Sequence, residues 1–471
     1  MSRSRNGLLF AVLLCAFLAA LAAGMGYTTG AEPRPAIKRL EAMEAEYFEY
    51  RWDSKKKLSS RDYSAMAAFA RKWKRSLDAG ELSAGPRRDL RVMLQKVEGT
   101  LEWRRLSEQY TVELDDGRTE PGNPPPEAAF EYRFRYQFGL DATPLRAAQV
   151  ARQEWDRTWD RLEDIARAWW NEVVAAGEAG CNTAGLTDTH VDWRTYDEQI
   201  KREHPEGKEL LTFARRALND ARDFAIRNEL VTIPDWAADV DAKLGNYGVA
   251  GVSVPFGYYQ PSWESEDTDS LRGAYVVSPL SKRLSPADRL QFLRGNNVCW
   301  TRVVALHEAI PGHHLQFAVT ARKASRVRKT CHNPAFIEGW ALYCEGMMAR
   351  NGYFQDRRER LQQQKMRLWR CARVLIDLGL HVGGMTKEEA KRLLVEKVGI
   401  EPFAAELEVS RYGERPFYQS AYLLGSLEFE SMGRDLELRA GEAFAQRDFH
   451  DRLLDCGPIP LNIVRGFILD R

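Results

Sequence analysis

Residues 303–316 read VVALHEAIPGHHLQ, an apolar run that leads into a His-Glu pair, a Pro-Gly step and two more histidines. The chain of 471 residues contains eight histidines, and three of them, His307, His313 and His314, fall within eight consecutive positions. His-Glu at the end of an apolar helical run is the first half of the zincin signature, in which a second histidine follows four residues later on the same helix face. Histidines and carboxylates grouped this densely need partners that apolar packing cannot supply. The stretch therefore predicts a metal site.

The plain zincin spacing fails here, because Pro311 stands four residues after His307. In a straight helix, His313 would lie about 120° around and roughly 9 Å along from His307. His314 would share its face but lie roughly 10.5 Å along, near the limit for sharing one metal. Proline removes a helical N–H, and Gly312 tolerates the backbone angles of a bulge. If two residues are looped out, His313 takes the second zincin position. We therefore expect His307 and His313 as ligands, with His307 and His314 as the alternative.

A catalytic zinc also needs a third protein ligand and an open position for water. Residues 336–346, FIEGWALYCEG, place Glu338 at the beginning of a helix and Glu345 two turns later on the same face. We expect Glu338 to complete the ligand set of one zinc ion and Glu345 to orient an imidazole N–H from behind. Glu308, next to a ligand, is the expected general base, which takes a proton from the attacking water and passes it to the leaving amine.

These motifs resemble a known group of proteins. His-Glu-x-x-Pro-Gly-His-His-x-Gln, followed by Glu-Gly-Trp-Ala-Leu-Tyr, is similar to the bacterial domain of unknown function 885 family, which itself resembles zinc metallopeptidases of the thermolysin-like, glutamate-ligand type. The resemblance runs from about residue 36 to the C-terminus. It implies a mostly α-helical, zincin-like fold, with His307, His313 and Glu338 as metal ligands and Glu308 as the catalytic base.

Two further segments resemble the same family, the extended stretch 258–275 and the C-terminal stretch 410–425 with its Arg-Tyr…Pro…Gln…Tyr…Gly pattern. Arg411 and Tyr422 in the second stretch are candidate catalytic residues. A tetrahedral intermediate needs a donor for its oxyanion, which a phenol or a guanidinium can supply, and a peptide carboxylate needs a cation such as arginine. In the alternative interpretation, Arg411 pairs with a structural carboxylate and Tyr422 lies in the core.

Elsewhere the sequence predicts a mostly α-helical chain, because apolar residues recur at intervals of three and four with charges between them. Thr386 and Glu389 form a capping box, which predicts a helix start. The tryptophan stripe of residues 155–170 is expected in the core. The predicted helical stretches are residues 36–106, Asp141-Ala-Thr-Pro144 to about 176, 208–228, 285 to about 384, and 415 to about 444.

Between residues 231 and 280, glycine, proline and aromatic residues alternate with short β-prone runs. We expect these runs to form a small β element next to the catalytic helix and one wall of a substrate cleft. Residues 120–126, EPGNPPP, predict a loop. The expected organisation is therefore one large α-helical domain over residues 32–471, with a candidate lobe boundary near 118–128.

The N-terminus predicts a signal peptide over residues 1–31, in which Arg3 and Arg5 precede an apolar run from Leu8 to Ala23 and small residues follow. The run is shorter than the roughly 20 residues that a spanning helix needs. We therefore expect an exported protein, periplasmic or extracellular, with an uncleaved N-terminal anchor as the alternative. After export, the six cysteines beyond the leader are expected to form one to three disulfides.

The net charge and the histidines outside the motifs exclude some classes of partner and some candidate site residues. The 68 Lys+Arg and 67 Asp+Glu residues leave a net charge of +1, so neither nucleic acid nor an anionic membrane surface is an expected partner. The remaining histidines, at positions 190, 204, 332, 381 and 450, are expected to be structural. The sequence therefore predicts an exported zinc-dependent metallohydrolase, a peptidase acting on short peptides. The alternatives are a metal-dependent hydrolase of another amide and a metal-holding binding protein without catalysis.

Overall fold

A computed structural model describes residues 34–49, 58–80, 82–113, 119–175, 192–207, 209–245, 255–261, 273–281 and 283–469. The predicted signal peptide, Cys181 and His190 lie outside the described residues. The described chain is mostly α-helical with two small sheets, as the sequence predicts.

The helices of the described chain are numbered here in chain order. They are α1 Arg34–Glu49, α2 Ser60–Asp78, α3 Ala84–Glu108, α4 Pro126–Tyr132, α5 Pro144–Ala175, α6 Trp193–Ile200, α7 Leu210–Arg227, α8 Pro286–Gly295, α9 Val298–Glu308, α10 His313–Lys323, α11 Arg326–Lys329, α12 Pro334–Arg350, α13 Arg357–His381, α14 Lys387–Arg392, α15 Pro402–Glu414, α16 Ser420–Ala440, α17 Gln446–Cys456 and α18 Leu461–Leu469. Helices α4 and α14 continue as π-helical turns over Arg133–Phe138 and Leu393–Lys397.

Local capping residues explain where several of these helices begin. The capping box predicted at Thr386 and Glu389 is present, with both of its hydrogen bonds, at the start of α14. Pro144 opens α5, and the Thr143 hydroxyl accepts a hydrogen bond from the Arg146 N–H at 3.2 Å. The last predicted helix, from residue 415, instead begins at Ser420, because the preceding residues form a turn in which Phe417 has a φ of 65°.

The two sheets are small and differ in exposure. Strands β1 Thr111–Glu113 and β2 Thr119–Pro121 form an exposed antiparallel hairpin. The loop predicted over residues 120–126 is therefore wrong at its first two positions, where a two-stranded edge tolerates proline. It is also wrong at its last position, since Pro126 opens α4, where the missing N–H costs no helical hydrogen bond. In the second sheet, strands β3 Asp241–Leu244, β4 Tyr258–Gln260 and β5 Ala274–Val277 lie in the order β3-β5-β4. Strand β5 pairs in parallel with β3 and antiparallel with β4.

One hydrophobic core extends through the described chain from Met43 in α1 to Ile468 in α18. A smaller core contains the buried Trp169 of α5 and Trp193 and Tyr196 of α6. The tryptophan stripe of α5 thus contributes to packing, as predicted. Helix α12 packs along α16, and α13 packs along both α5 and α9. These central helices carry most of the residues discussed below.

A pair of glycines lets α12 and α16 pack backbone against backbone. A methyl group at Gly339 would lie 2.7 Å from the carbonyl carbon and 2.8 Å from the Cα of Gly425. A methyl group at Gly425 would collide with the carbonyl oxygen of Ala335. Interiors are too densely packed to absorb such overlaps without movement of the helices. The contact therefore sets the position of Glu338, the neighbour of Gly339, relative to α16.

The five cysteines in the described ranges are free thiols, so the predicted disulfides are not found among them. Four of these cysteines are buried, where a thiol packs as a small apolar group. They are Cys299, Cys344, Cys371 and Cys456, and the half-buried Cys331 completes the set. Among the described residues, no helix is both long and apolar enough to cross a membrane.

Candidate active site

The His-Glu helix stops abruptly at the motif. Helix α9 ends at Glu308, and α10 begins at His313. The predicted two-residue bulge in a continuous helix is therefore wrong, because residues 309–312 interrupt the helix altogether. Proline at 311 removes a helical N–H, and any side chain at Gly312 would collide with the carbonyl oxygen of His307. The Gly312 N–H bonds to the carbonyl of Leu306 at 3.1 Å. The break places the first residue of α10 beside the last turn of α9.

The two histidines proposed as ligands meet across this break. Their ring centroids lie 4.8 Å apart. The Oε2 atom of Glu338 lies 3.3 Å from Nε2 of His313 and 4.0 Å from Nε2 of His307. Tetrahedral zinc with bonds of about 2.0–2.2 Å separates its ligand atoms by about 3.3–3.6 Å. The Glu338–His313 distance lies in that range and the Glu338–His307 distance is slightly longer. The three side chains are therefore arranged around a point that one ion could occupy.

Two carboxylates face the histidine pair, and their surroundings differ. His307, His313 and Glu308 each offer a ligand atom within 4.8 Å of the others. Glu338 is held from its far side, since its Oε1 accepts a hydrogen bond from the Tyr418 hydroxyl at 2.6 Å. That bond leaves Oε2 for a metal. Glu308 is half-buried and lines the cavity. This arrangement is compatible with the expected roles, Glu338 as a ligand and Glu308 as the base beside a substrate, although Glu308 also lies within reach of both histidines.

Helix α12 orients the ring of His307 through a contact at Nδ1, the ring nitrogen that faces away from the candidate metal position. Its Nδ1 lies 2.7 Å from Oε1 of Glu345, a fully buried side chain two turns after Glu338. Arg370 of α13 contacts the same oxygen through Nη2 at 3.3 Å. A carboxylate that accepts the Nδ1–H proton fixes the tautomer in which the Nε2 lone pair faces the site. The structure thus places Glu345 where the sequence predicts it.

His314 points away from the candidate metal site. Its Nε2 lies 3.0 Å from the carbonyl oxygen of Ala237, so this nitrogen carries the proton. Its Nδ1 then accepts a hydrogen bond from the Tyr259 hydroxyl at 3.1 Å. Burial lowers the pKa of His314 to about 4, which keeps the ring neutral. Because both nitrogens are occupied, the geometry does not support the alternative ligand pair of His307 and His314.

The ionisable groups of the site influence each other strongly. Burial raises the pKa of Glu308 to about 7, although the neighbouring His313 opposes the rise. Burial opposes ionisation of Glu338 as well, but His313, His307 and the Tyr418 hydroxyl outweigh it and lower the pKa of Glu338 to about 2. Burial lowers the pKa of His307 well below its usual value. The ionised Glu338 thus directs its charge at two imidazoles.

These groups open into a cavity of about 490 Å³. All six residues proposed as ligands or catalytic groups line it. Strand β4 contributes Tyr258 and Tyr259 to the wall, as expected for the extended segment before α9. Helices α13 and α15 and the turn before α16 form other parts of the lining. The residues from these three elements are Met366, Trp369, Arg370, Arg373, Glu408, Arg411, Glu414, Arg415, Tyr418 and Gln419.

Tyr422 and Arg411 occupy different parts of this cavity. The ring of Tyr422 stacks near His307, with centroids 6.4 Å apart and planes 13° from parallel. Arg411 lies farther along, where its Nη1 is 3.1 Å from Oε1 of Glu408. The carboxylate partner foreseen in the alternative interpretation is therefore present, yet the Arg411 side chain remains 21% exposed and lines the cavity.

Sequence reasoning missed three residues of the site, namely Tyr418, Arg370 and Arg373. Tyr418 donates to the carboxylate of Glu338, an expected ligand, and its spacing of four residues from Tyr422 was the available signal. Arg370 and Arg373 are three residues apart on the buried face of α13. A charged pair on an apolar helix face marks a buried ionic cluster or a functional site.

Comparison with known proteins places the chain in a family and describes its fold. The family described as "Bacterial protein of unknown function (DUF885)" matches residues 104–468. No curated protein matches. A Shewanella oneidensis protein, described as a "putative lipoprotein of unknown function", has a solved structure with a TM-score of 0.62 and 19% identity, covering 92% of this chain and 73% of its own. A Colwellia psychrerythraea protein, described as a "putative lipoprotein", has a crystal structure with a TM-score of 0.60 and 21% identity, covering 91% of this chain and 69% of its own. At these identities the likeness concerns the fold alone.

Proposed function

The chain belongs to DUF885, a bacterial family of unknown function, and we propose that it is a zinc-dependent peptidase that cleaves short peptides in a zincin-like manner. The observation that carries this proposal is the arrangement of His307, His313 and Glu338 around one point in the cavity wall, with Glu308 beside them. Two imidazoles and one carboxylate are a donor set that suits zinc.

The donor atoms fit a single ion. The Nδ1 of His307 is bonded to Glu345 and the Oε1 of Glu338 to Tyr418, so the Nε2 of His307 and the Oε2 of Glu338 are the atoms that face the site. The Oε2 atom also lies 3.3 Å from Nε2 of His313, which brings the three atoms together. Polar atoms buried in this way are costly unless they share a partner. A cation between them would supply that partner, and the residues present therefore support zinc.

The proposed reaction is hydrolysis of an amide bond. When bound, zinc would supply Lewis-acid polarisation of the substrate carbonyl and of water. Glu308 takes a proton from the attacking water and delivers it to the leaving nitrogen. Tyr422 donates a hydrogen bond to the oxyanion that forms on the carbonyl oxygen. Burial raises the pKa of Tyr422, so the phenol keeps its proton at neutral pH.

Metal analysis of purified variants tests the ligand set. We expect one zinc per chain in the wild type, and loss of zinc in His307→Ala, His313→Ala and Glu338→Ala. His314→Ala serves as the matched control, since its ring faces Ala237 and Tyr259. Loss of metal from His314→Ala together with retention in His313→Ala would overturn the assignment.

Glu308→Gln separates catalysis from metal binding. The amide cannot accept the proton, so we expect full zinc content and a loss of about 10²–10⁴-fold in the hydrolysis of a peptide library. Unchanged hydrolysis in this variant rules out the proposed base. If the zinc-loaded wild type cleaves no peptide, the two other functions, hydrolysis of a different amide or metal-dependent binding without catalysis, become the better explanations.

We also propose that the chain is exported. The signal-peptide pattern of residues 1–31 supports export, and so do the lipoprotein descriptions of the two similar structures. Fractionation of bacteria that express the full chain with a C-terminal tag tests this. A tag found with the cytoplasmic markers would contradict the proposal.

A further inference from the structure

One wall of the cavity is rich in arginine. Arg370 and Arg373 of α13 and Arg411 and Arg415 of α15 and the following turn all line it. The residues Arg370 and Arg373 are each only 3% exposed. Buried guanidinium groups keep their charge and must therefore be neutralised by carboxylates close by.

Arg415 and Glu414, which also line this wall, are both exposed. For the other three arginines, Arg370, Arg373 and Arg411, the carboxylates in contact are too few. Glu408 is shared, because its Oε2 accepts a hydrogen bond from Arg373 at 2.9 Å and its Oε1 lies 3.1 Å from Arg411. Glu345 is shared as well, since the oxygen that contacts Arg370 also accepts the bond from the His307 ring. Three guanidinium groups thus depend on two carboxylates, one of which also serves a proposed metal ligand.

Arg370 is the least satisfied of the three. Its contacts with Glu345 and with the carbonyl oxygen of Met366 are long, at 3.3 and 3.4 Å. Its Nε is buried and has no hydrogen-bond partner within the described part of the chain. A buried donor without a partner costs free energy, which an incoming anionic acceptor would recover.

The arginine wall lies close to the candidate metal ligands. The Tyr422 ring is close to both, with its centroid 6.4 Å from that of the His307 ring and 4.6 Å from the guanidinium carbon of Arg373. An extended peptide covers about 3.3–3.6 Å per residue. An anion bound at this wall therefore lies only a few residues from a bond cleaved beside Glu308.

We infer that this wall binds the free α-carboxylate of the substrate, so that the protein removes residues from the C-terminus of short peptides. The inference rests on the proposed peptidase function. Arg411 is the main contact, because it is the most accessible of the three and its carboxylate is also held by Arg373. The guanidinium fork matches a carboxylate in a bidentate manner. A cavity of about 490 Å³ suits a ligand of a few residues.

Paired substrates test the inference on the zinc-loaded protein. N-acetyl-trialanine with a free C-terminus should be hydrolysed with a kcat/KM about 10- to 100-fold above that of its C-terminal amide, as expected for a charged hydrogen-bonded contact. In Arg411→Gln this ratio should fall to within about threefold of one. A third substrate, N-acetyl-Ala-Glu-Ala amide, tests whether a side-chain carboxylate is preferred to the C-terminal carboxylate.

A matched control variant also removes one positive charge, but at a position outside the cavity lining. Lys391→Met removes a cation that pairs with Glu406 of α15 at 2.6 Å, away from the cavity lining, and should retain the wild-type preference. Zinc content and the urea midpoint show whether Arg411→Gln remains folded, which we expect because Glu408 keeps its bond to Arg373.

Binding to the inactive Glu308→Gln protein separates this inference from the peptidase proposal. Calorimetric titration should show the free acid binding at least about tenfold more tightly than the amide, and Arg411 should be required for the difference. Tighter binding of the acid without any hydrolysis in the wild type would refute the peptidase proposal but support the carboxylate site. Equal binding and equal cleavage of acid and amide, or a preference for the glutamate-containing amide, would overturn the inference.

Discussion

Replacement of Gly339 by alanine should weaken both the fold and the metal site, because the added methyl group would press on the backbone of α16. Carbon atoms pack at about 3.5 Å or more, so a methyl group 2.7 Å from the Gly425 carbonyl carbon requires α12 and α16 to separate by about 0.8 Å. Overpacking of this kind costs about 1–3 kcal/mol, from which the better helix propensity of alanine subtracts up to about 1 kcal/mol. We expect a net loss of about 1–2 kcal/mol.

The same movement should also lower the affinity for the metal. Glu338 precedes Gly339, and its Oε2 lies only 3.3 Å from the His313 ring nitrogen. A displacement of several tenths of an ångström there is comparable to the loss of a residue that supports a ligand, which typically lowers metal affinity about 10- to 100-fold. Competition with a zinc chelator measures this affinity, and urea unfolding of the metal-free protein measures stability.

Gly346→Ala is the matched control on the same face of the same helix. A methyl group there would meet only side-chain atoms, Nη1 of the flexible Arg350 at 3.1 Å and Oε1 of Glu430 at 4.0 Å. We expect unchanged zinc affinity and a stability between that of the wild type and about 1 kcal/mol above it. If Gly339→Ala matched this control in both measurements, the contact between α12 and α16 would not position the ligand as argued here.

Three further predictions concern single side chains. Glu345→Leu should lower zinc affinity about 10- to 100-fold, because the His307 ring loses the carboxylate that orients it, and chelator competition that finds wild-type affinity would contradict this. Tyr418→Phe should weaken zinc binding about tenfold by freeing Oε1 of Glu338, whereas wild-type zinc retention would show that this bond does not position the ligand. Burial lowers the pKa of His450 from 6.5 to about 4, so between these pH values the unfolded chain takes up a proton that the folded chain excludes. Stability measured by urea unfolding should therefore fall with acidification by on the order of 3 kcal/mol more in the wild type than in His450→Gln, and parallel pH profiles would refute the assignment.

The helical character of the chain and the proximity of the main residues of the candidate site can be predicted from the sequence, because both depend on local signals. Apolar periodicity and a capping box indicate where helices lie, as at Thr386. His307, Glu308 and His313 sit in one short motif, and Glu345 follows Glu338 at two helical turns. Residues at this spacing lie on the same face of a helix in the folded chain, because a helix repeats every 3.6 residues.

The remaining features depend on contacts between segments that are far apart in sequence. The sequence predicts a bulge where the structure has an interruption at 309–312, since proline and glycine indicate a disturbance but not its size. Strand β3 reads Asp-Ala-Lys-Leu and is largely exposed, so its pairing with β5 leaves no hydrophobic pattern. Tyr418 donates to Glu338 across 80 positions of sequence, a bond that no local pattern encodes.

The interruption between α9 and α10 affects how a bound ion would change local unfolding of the protein. The three proposed ligands come from three separate helices, α9, α10 and α12, rather than from one continuous scaffold. A bound ion would therefore tie together segments that could otherwise separate locally, and ligand binding to the native state alone adds stability by mass action. Amide hydrogens around residues 309–316 should accordingly exchange with solvent more slowly in the zinc-loaded protein than in the metal-free protein, while those of the exposed β1–β2 hairpin should exchange at the same rate in both.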